Sequence, residues 1–245
     1  MRQQRECNNH FKVIGRNYDY FKILLHSFSK IEMPVVFNKN IDNDTMLAVW
    51  KIEETEAALT AGLQLKQHEL DVIASLNNGK RLLHWLSTRV LLRTLLNTDE
   101  YIDCRLDDHG KPYLPDLDYE ISLSHSYDYA AVIISKTKKV GVDIELIKHK
   151  IKSIKQKFLS DLELGQKQVG DNINGLYVCW CAKEAIYKWN GRKGLEFKQD
   201  IHIKPFKLKD KGMLNATVDL PEGSRELTVN YFKTEDGYML GYVVA

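Results

Sequence analysis

The order of helix-like and strand-like segments is the feature that most limits the fold of this 245-residue chain. Strand-like runs follow one another across short turns, and the helix-like runs are grouped between them. Such grouping favours antiparallel sheets over a doubly wound parallel sheet, so we predict an α+β fold with two coarsely similar halves. The predicted strands are 47–52, 119–124, 129–135, 140–146, 214–220, 226–233 and 238–244, and the predicted helices are 53–77, 81–96, 151–168 and 176–189.

Composition excludes several functional classes. The formal net charge is +2, which gives no general reason to expect nucleic-acid binding. No apolar run approaches the roughly 20 residues that span a bilayer, so we expect no membrane partner. The cysteines lack paired CxxC spacing, which argues against a structural zinc site and fits a reduced, cytoplasmic protein.

The domain boundaries follow from the same patterns. Residues 1–32 contain a short apolar stretch that Lys22 interrupts, without the uninterrupted apolar region of a signal peptide. We predict that 1–32 are a poorly ordered extension and that the folded part begins near Met33. The predicted N-terminal half is 33–135, and the C-terminal half, 136–245, carries the candidate metal site.

Three acidic residues form the candidate chemical site. Asp143 and Glu145 lie at i and i+2 of a predicted strand, so both side chains point to one face. Two such carboxylates repel each other unless a cation lies between them, and oxygen ligands suit Mg²⁺. Glu184 lies on a predicted helix, where Trp180, Glu184 and Lys188 share a face at i, i+4 and i+8. Taken singly, each pattern is also typical of a solvated strand or helix face.

Two segments resemble the hallmark motifs of the 4'-phosphopantetheinyl transferase superfamily, G-[VI]-D-[IV]-E and W-x-x-K-E-A-x-x-K. They are Gly141-Val-Asp-Ile-Glu145 and Trp180-Cys-Ala-Lys-Glu-Ala-Ile-Tyr-Lys188. Lys157-Phe-Leu-Ser-Asp-Leu-Glu163 resembles the segment between the two motifs. Gly110-Lys-Pro112 with Ser122-Leu-Ser-His-Ser126, and the helix with Arg81, Arg89 and Arg93, resemble further family regions.

The resemblance implies an activity and a fold. It implies transfer of the phosphopantetheine arm of coenzyme A to a serine of an acyl or peptidyl carrier protein. The resemblance implies Mg²⁺, or Mn²⁺ in its place, and release of adenosine 3',5'-bisphosphate. Length and order resemble the larger, surfactin-synthetase-activating type. That type is usually monomeric, and its two halves pack as an intramolecular pseudo-dimer with the active site in the cleft between them.

The resemblance also implies residue roles. Asp143, Glu145 and Glu184 would hold the metal, and Lys188 would add a cation to the same phosphate. Glu184 is the candidate base for the carrier serine, with Glu163 as the second candidate. Residues for the nucleotide end and its 3'-phosphate would be Lys111, Ser124, His125, Arg81 and Arg89, together with Lys188 for the pyrophosphate.

Two other functions stay open from the sequence. A metal-dependent phosphohydrolase could use the same three acids and would need no carrier protein. A non-catalytic module could bind coenzyme A or a carrier protein without transfer. The sequence names neither the acceptor carrier nor the general base, and it leaves open the tolerance for acyl-coenzyme A.

Overall fold

The first sheet is antiparallel, and it is built from hairpin-connected strands. The computed structural model describes residues 35–76 and 79–245; the predicted extension 1–32 lies outside them. The strand order of this sheet is β1-β2-β6-β5. Its strands are β1 (Val35–Asn40), β2 (Thr45–Lys51), β5 (Glu120–Ser126) and β6 (Tyr129–Ser135).

The second sheet contains the C-terminal meander. Its order is β7-β11-β10-β9-β8, and β7 pairs with β11 along its whole length. The edge strand β7 carries Asp143 and Glu145. Its strands are β7 (Val140–Leu146), β8 (Ile201–Ile203), β9 (Lys211–Leu220), β10 (Gly223–Lys233) and β11 (Tyr238–Val244), while β3 (Arg105–Leu106) and β4 (Pro112–Tyr113) form a separate small ribbon.

Two long helices cover the sheets. Helices α1 (Glu56–Ala61) and α2 (Gln67–Ser75) precede α3 (Lys80–Leu96), which packs on β6, β2 and β5. The short helices are a 3₁₀ turn (His149–Ser153), α4 (Lys155–Phe158) and α5 (Asp161–Leu164), and they are followed by α6 (Ile173–Asn190). Helix α6 packs on β7 and β11. In 35–76 and 79–245, none of these helices is both long and apolar enough to cross a membrane.

Apolar side chains of both sheets meet in one core. Leu47, Val49 and Ile133 from the first sheet pack with Val142 and Leu240 from the second. A second core lies between α6 and the outer strands, and it includes Trp189 and Val229. These two cores fix β5 beside β7 and α6 above β7, which is the geometry that builds the site.

The prediction of mixed helices and sheets is confirmed, but several element bounds were wrong. The single helix predicted over 53–77 is broken, since α1 ends at Gly62 and the Glu69 carboxylate accepts from the Lys66 N–H at the start of α2. The segment 151–168 is three short turns, because Ser160 caps a new helix there. Strands β1 and β8 were missed, since the apolar residues of β1 are confined to its first three positions and β8 is only three residues long.

Candidate active site

Two glycines let helix α6 lie unusually close to the second sheet. A Cβ atom on Gly141 of β7 would lie 2.0 Å from the Ala185 carbonyl oxygen, and one on Gly241 of β11 would lie 3.0 Å from the Cys181 carbonyl. Helix and strand backbones therefore touch where a side chain would keep them apart. This contact lowers the Glu184 and Lys188 end of α6 onto the acids of β7.

Asp143 is the buried centre of the cluster, with only 4% of its surface exposed. Its Oδ1 atom accepts from Lys188 Nζ at 2.7 Å and from Ser124 Oγ at 2.9 Å. Its Oδ2 atom is buried and has no hydrogen-bond partner among the described residues. Burying a carboxylate oxygen without a hydrogen-bond partner costs folding free energy, so this atom is a candidate to bind a group from outside the protein.

Glu145 is held through both of its oxygens. Oε2 accepts from Ser126 Oγ at 2.8 Å, and Oε1 accepts from Trp180 Nε1 at 3.4 Å. Burial, and then the negative charge of Asp143, raise the pKa of the Glu145 carboxyl. Both causes disfavour the ionised form, and a bound cation would relieve both.

Glu184 completes the group from α6. Burial, and next the charge of Asp143, raise the pKa of Glu184 to about 7, while Lys188 opposes the rise. Glu184 makes no hydrogen bond or ion pair within the part of the chain that the structure describes. A carboxyl with a pKa near neutrality and without a fixed partner can accept or release a proton at working pH.

The raised pKa of Glu184 predicts a pH-dependent stability. The Glu184 carboxyl binds its proton more tightly in the folded chain than in the unfolded chain. Its contribution to the free energy of unfolding is therefore complete below the unfolded pKa near 4.5 and is lost as pH rises through about 7. Glu184→Gln should therefore match the native chain in unfolding free energy at about pH 4 and exceed it by about 2 kcal/mol at about pH 8, allowing for partial exposure. Urea unfolding at both values measures this.

The control for that experiment is Glu222→Gln, which changes an exposed carboxylate on the turn between β9 and β10. It should leave the pH dependence of the unfolding free energy unaltered. If the unfolding free energy changed equally with pH in the native chain, Glu184→Gln and Glu222→Gln, the raised pKa of Glu184 would be contradicted.

Glu163 and Lys183 form a buried ion pair instead of an open site. Lys183 Nζ donates to Glu163 Oε2 at 2.9 Å and to the carbonyls of Phe197 and Ile201, both at 2.7 Å. Glu163 also accepts from the Ser160 N–H at 2.8 Å and from the Ile203 N–H at 2.8 Å. Both oxygens of Glu163 are thus occupied by donors of the protein, which leaves Glu184 as the better placed base.

Ser124 and His125 have separate surroundings although they are neighbours in sequence. The buried Ser124 hydroxyl lies in the carboxylate cluster, where it also accepts from Lys188 Nζ at 3.0 Å. The His125 ring points away from it and stacks on His84 at 4.2 Å between centroids. Burial, followed by the charges of His84 and Lys188, lowers the pKa of His125 to about 4, although one part of the ring reaches solvent.

Lys111 lies beside a groove next to the C-terminal end of α6. Its Nζ pairs with Glu120 at 2.6 Å, and its aliphatic stem covers Gly191. The groove has a volume of about 290 Å³ and is lined in part by His109, Lys139 and Arg192. Its lining also includes Asp107 and Glu120, so the groove presents charges of both signs and suits a polar ligand.

The two predicted arginines do not join this cluster. The Arg89 guanidinium lies 3.7 Å from the Trp85 ring and donates to the Trp85 carbonyl, and it lines a small pocket with Glu69 and Tyr101. Burial lowers the pKa of Arg89. Arg81 is exposed on the first turn of α3. Its contact with a ligand stays a prediction.

Comparison with known proteins shows which part of the chain is similar to a known family. Residues 139–243 match the sequence profile described as the 4'-phosphopantetheinyl transferase superfamily. This match covers less than half of the chain. The matched region contains all three acids, Glu163 and Lys188, whereas Lys111, Ser124 and His125 precede it.

Curated members of the superfamily resemble the chain over part of its length. A 4'-phosphopantetheinyl transferase of Bacillus subtilis is 29% identical over 57% of this chain and 62% of the relative. The 4'-phosphopantetheinyl transferase Sfp of Bacillus subtilis (strain 168) is 25% identical over 64% of this chain and 71% of the relative. The match thus spans less than two thirds of the first relative. The profile match over residues 139–243 falls in the second sheet and α6.

Asp143, Glu145 and Glu184 do not form a complete metal site by themselves. Across 35–76 and 79–245, no three His, Cys, Asp or Glu side chains lie close enough to hold a metal ion together. Mg²⁺ usually takes one or two carboxylates and completes its shell with waters and substrate phosphates. The oxygen-only donors and the unpartnered Asp143 Oδ2 atom fit that kind of ion.

Several residues near the candidate site are not predicted from the sequence. The motif that contains Ser126 gives this residue no role, and no motif includes His84. The tip of the β5–β6 hairpin was also missed: Tyr127 has a left-handed φ of 50°, its carbonyl accepts from His84 Nε2, and Lys148 Nζ lies 3.5 Å from its ring. Of these residues, only Ser126 could have been found from the sequence. It alternates with Ser122 and Ser124 at every second position, which places the three side chains on one face of a strand.

Proposed function

We propose that this chain transfers the phosphopantetheine arm of coenzyme A to a serine of an acyl or peptidyl carrier protein. One observation carries the proposal: a buried Asp143 with an unpartnered oxygen lies beside Lys188 and interacts electrostatically with Glu145 and Glu184. The similarity of residues 139–243 to the superfamily and the printed names of the relatives support the same reaction class. The product would be adenosine 3',5'-bisphosphate.

Asp143 and Glu145 are the residues that would hold Mg²⁺, or Mn²⁺ in its place, because no three acids of the described residues lie close enough to bind one ion together. Glu184 belongs to the expected ligand set, and we assign it to proton transfer instead, since a carboxylate that binds a metal tightly is a weak base. When bound, the ion would neutralise charge on the transferring and leaving phosphate oxygens. Lys188, with about a quarter of its side chain exposed, would add a second positive charge at the same phosphate. Its present contact with Asp143 keeps the ammonium at the edge of the carboxylates.

Glu184 is the proposed base for the serine hydroxyl. A serine is a weak nucleophile until a base removes its proton, and a base works best when its pKa is close to the working pH. The pKa of about 7 supports Glu184 in this role. Glu163, saturated by Lys183 and two backbone N–H groups, is proposed to be structural.

Binding of the nucleotide end is proposed on the side of β5 and of the groove. Lys111 and His125 keep the roles that the resemblance implies, and His84, stacked on His125, is added to them. Ser124 is proposed to act through Asp143, because its hydroxyl is engaged there. Arg81 stays a candidate for the 3'-phosphate; Arg89 is proposed to be structural because Trp85 and a separate pocket hold it.

The remaining expectations stay proposals. These are a cytoplasmic location, a monomer, and a pseudo-dimer of halves 33–135 and 136–245 with the site between them. Two antiparallel sheets that meet at β5 and β7, each with one long helix, support the last of these. Strand β5 belongs to the first half and β7 to the second, so side chains of both halves would contribute to the site.

The deciding experiment weighs the carrier protein. The chain is incubated with coenzyme A, Mg²⁺ and an unmodified acyl carrier protein, and mass spectrometry should detect a gain of one phosphopantetheine. A chelator should abolish the gain. Asp143→Ala should lower the rate at least about 100-fold, because several kcal/mol of charge stabilisation is lost. Asp161→Asn, which changes an exposed carboxylate two residues before Glu163, should keep the native rate.

The same experiment separates the alternatives. Release of a phosphate product from coenzyme A without a carrier would favour a metal-dependent phosphohydrolase. Binding of coenzyme A without a mass gain on acyl or peptidyl carriers would favour a non-catalytic module. A chain that binds no coenzyme A would contradict the proposed transfer.

A further inference from the structure

Three serines of β5 join the two sheets without strand pairing. Strand β7 pairs with β11 along one edge, so alternate N–H groups point outward from its other edge. Serines at every second position of β5 face that edge with the same spacing. Their hydroxyl oxygens accept hydrogen bonds as follows: Ser122 from the Val142 N–H at 3.1 Å, Ser124 from the Ile144 N–H at 3.2 Å, and Ser126 from the Leu146 N–H at 3.2 Å. We call these serines the hydroxyl ladder.

The ladder also sets the direction of each hydroxyl proton. A serine hydroxyl has one proton and two lone pairs, so accepting the backbone N–H leaves the proton for another acceptor. At Ser126 that acceptor is Glu145 Oε2, 2.8 Å away. At Ser122 no carboxylate is bonded, although this serine is buried like Ser126 and bonds β7 in the same way. Ser122 is therefore a natural control for Ser126.

Ser126 and Trp180 hold Glu145 from two sides. Each donates one hydrogen bond to a different oxygen, and both donors are uncharged. The carboxylate is fixed in orientation while its negative charge stays unneutralised by them. A carboxylate oxygen can accept more than one bond, so both oxygens keep capacity for a cation.

Asp143 is held differently. Its Oδ1 atom bonds the ammonium of Lys188, which supplies a positive charge directly. Glu145 therefore depends on an external cation more than Asp143 does. Partners that orient a ligand without neutralising it are typical of the surroundings of metal sites.

We propose that Ser126 is a positioning residue that holds Glu145 ready for a divalent cation. Ser126 acts through Glu145 and touches neither coenzyme A nor the carrier. This inference rests on the proposed function, because it takes Glu145 as a metal ligand. The hydroxyl of Ser126 thus has two roles: it bonds β5 to β7, and it orients the proposed metal ligand Glu145.

The test measures Mn²⁺ binding by electron paramagnetic resonance, which counts the free ion, in native chain, Ser126→Ala and Ser122→Ala. Both variants lose one β5–β7 hydrogen bond, so thermal unfolding should show similar decreases in melting temperature. Only Ser126→Ala should weaken Mn²⁺ binding, by about 10–100-fold, the range usual for partners of metal ligands. Ser126→Thr, which keeps a hydroxyl, should restore most of the affinity.

The outcomes are distinct. Native affinity in Ser126→Ala, or equal weakening in Ser122→Ala, would overturn the positioning role while leaving the proposed function intact. No Mn²⁺ binding by the native chain would overturn both. Should Ser126→Ala fail to fold, Trp180→Phe removes the other donor to Glu145 and leaves the hydroxyl ladder intact; unchanged Mn²⁺ affinity there would overturn the two-sided hold on Glu145.

Discussion

Gly141→Ala is expected to destabilise the chain by about 3 kcal/mol or more and to remove the proposed transfer activity. The added Cβ would lie 2.0 Å from the Ala185 carbonyl oxygen and 2.7 Å from the Trp189 amide nitrogen. Both are backbone atoms of α6, so no side-chain rotation relieves the contact. Overpacking of a well-packed core costs typically 1–3 kcal/mol, and a clash between backbones lies at or above that range.

The loss of activity has a separate cause in the same contact. Strand and helix must move apart to admit the methyl group, which carries Glu184 and Lys188 away from Asp143. Residual folded Gly141→Ala should therefore bind Mn²⁺ more weakly than the native chain. Urea unfolding followed by circular dichroism measures the stability, and the mass-shift reaction measures the activity.

Gly165→Ala is the matched control. Gly165 follows α5 with φ of −72°, and an added Cβ would meet its nearest atom at an ordinary 3.4 Å. This change should leave stability within about 0.5 kcal/mol of native or raise it slightly. Equal stability of the two alanine variants would contradict the close approach of α6 to β7.

Lys183→Met should cost about 3–5 kcal/mol, the usual loss when one member of a buried ion pair is removed. Lys183 is fully buried, and burial lowers its pKa. Without it, the Glu163 carboxylate stays buried with no positive partner, and the carbonyls of Phe197 and Ile201 lose their donor. Methionine keeps a similar volume, so the loss reports the charge and hydrogen bonds and not a cavity.

Two further variants make this prediction specific. Adding Glu163→Gln to Lys183→Met removes the unpaired charge and should recover part of the loss. Lys204→Met breaks an exposed pair, with both side chains at least half exposed, and should cost at most about 1 kcal/mol. Denaturant unfolding compares all of them, and native-like stability of Lys183→Met would refute a structural role for the pair.

The sequence determined the parts of the site that are local. A spacing of two residues places Asp143 and Glu145 on one face of β7. A spacing of four residues places Trp180, Glu184 and Lys188 on one face of α6. The strands of the meander and the two long helices follow from periodicity as well, because their apolar faces are long enough to be read. Short elements such as β1 and α5 depend on one bulge or one cap, and periodicity did not predict them.

Only the tertiary structure decided which of these faces meet. Both Lys183 and Lys188 follow the same tryptophan, yet one is sealed against Glu163 and the other reaches Asp143. Arg89 lines a separate pocket with Glu69 and Tyr101, which lie outside its own helix and which the spacing within that helix does not indicate. Contacts between residues far apart in the chain depend on how closely their backbones approach, and Gly141 and Gly241 permit that approach here. The spacing of residues along the sequence does not predict the distance between two backbones.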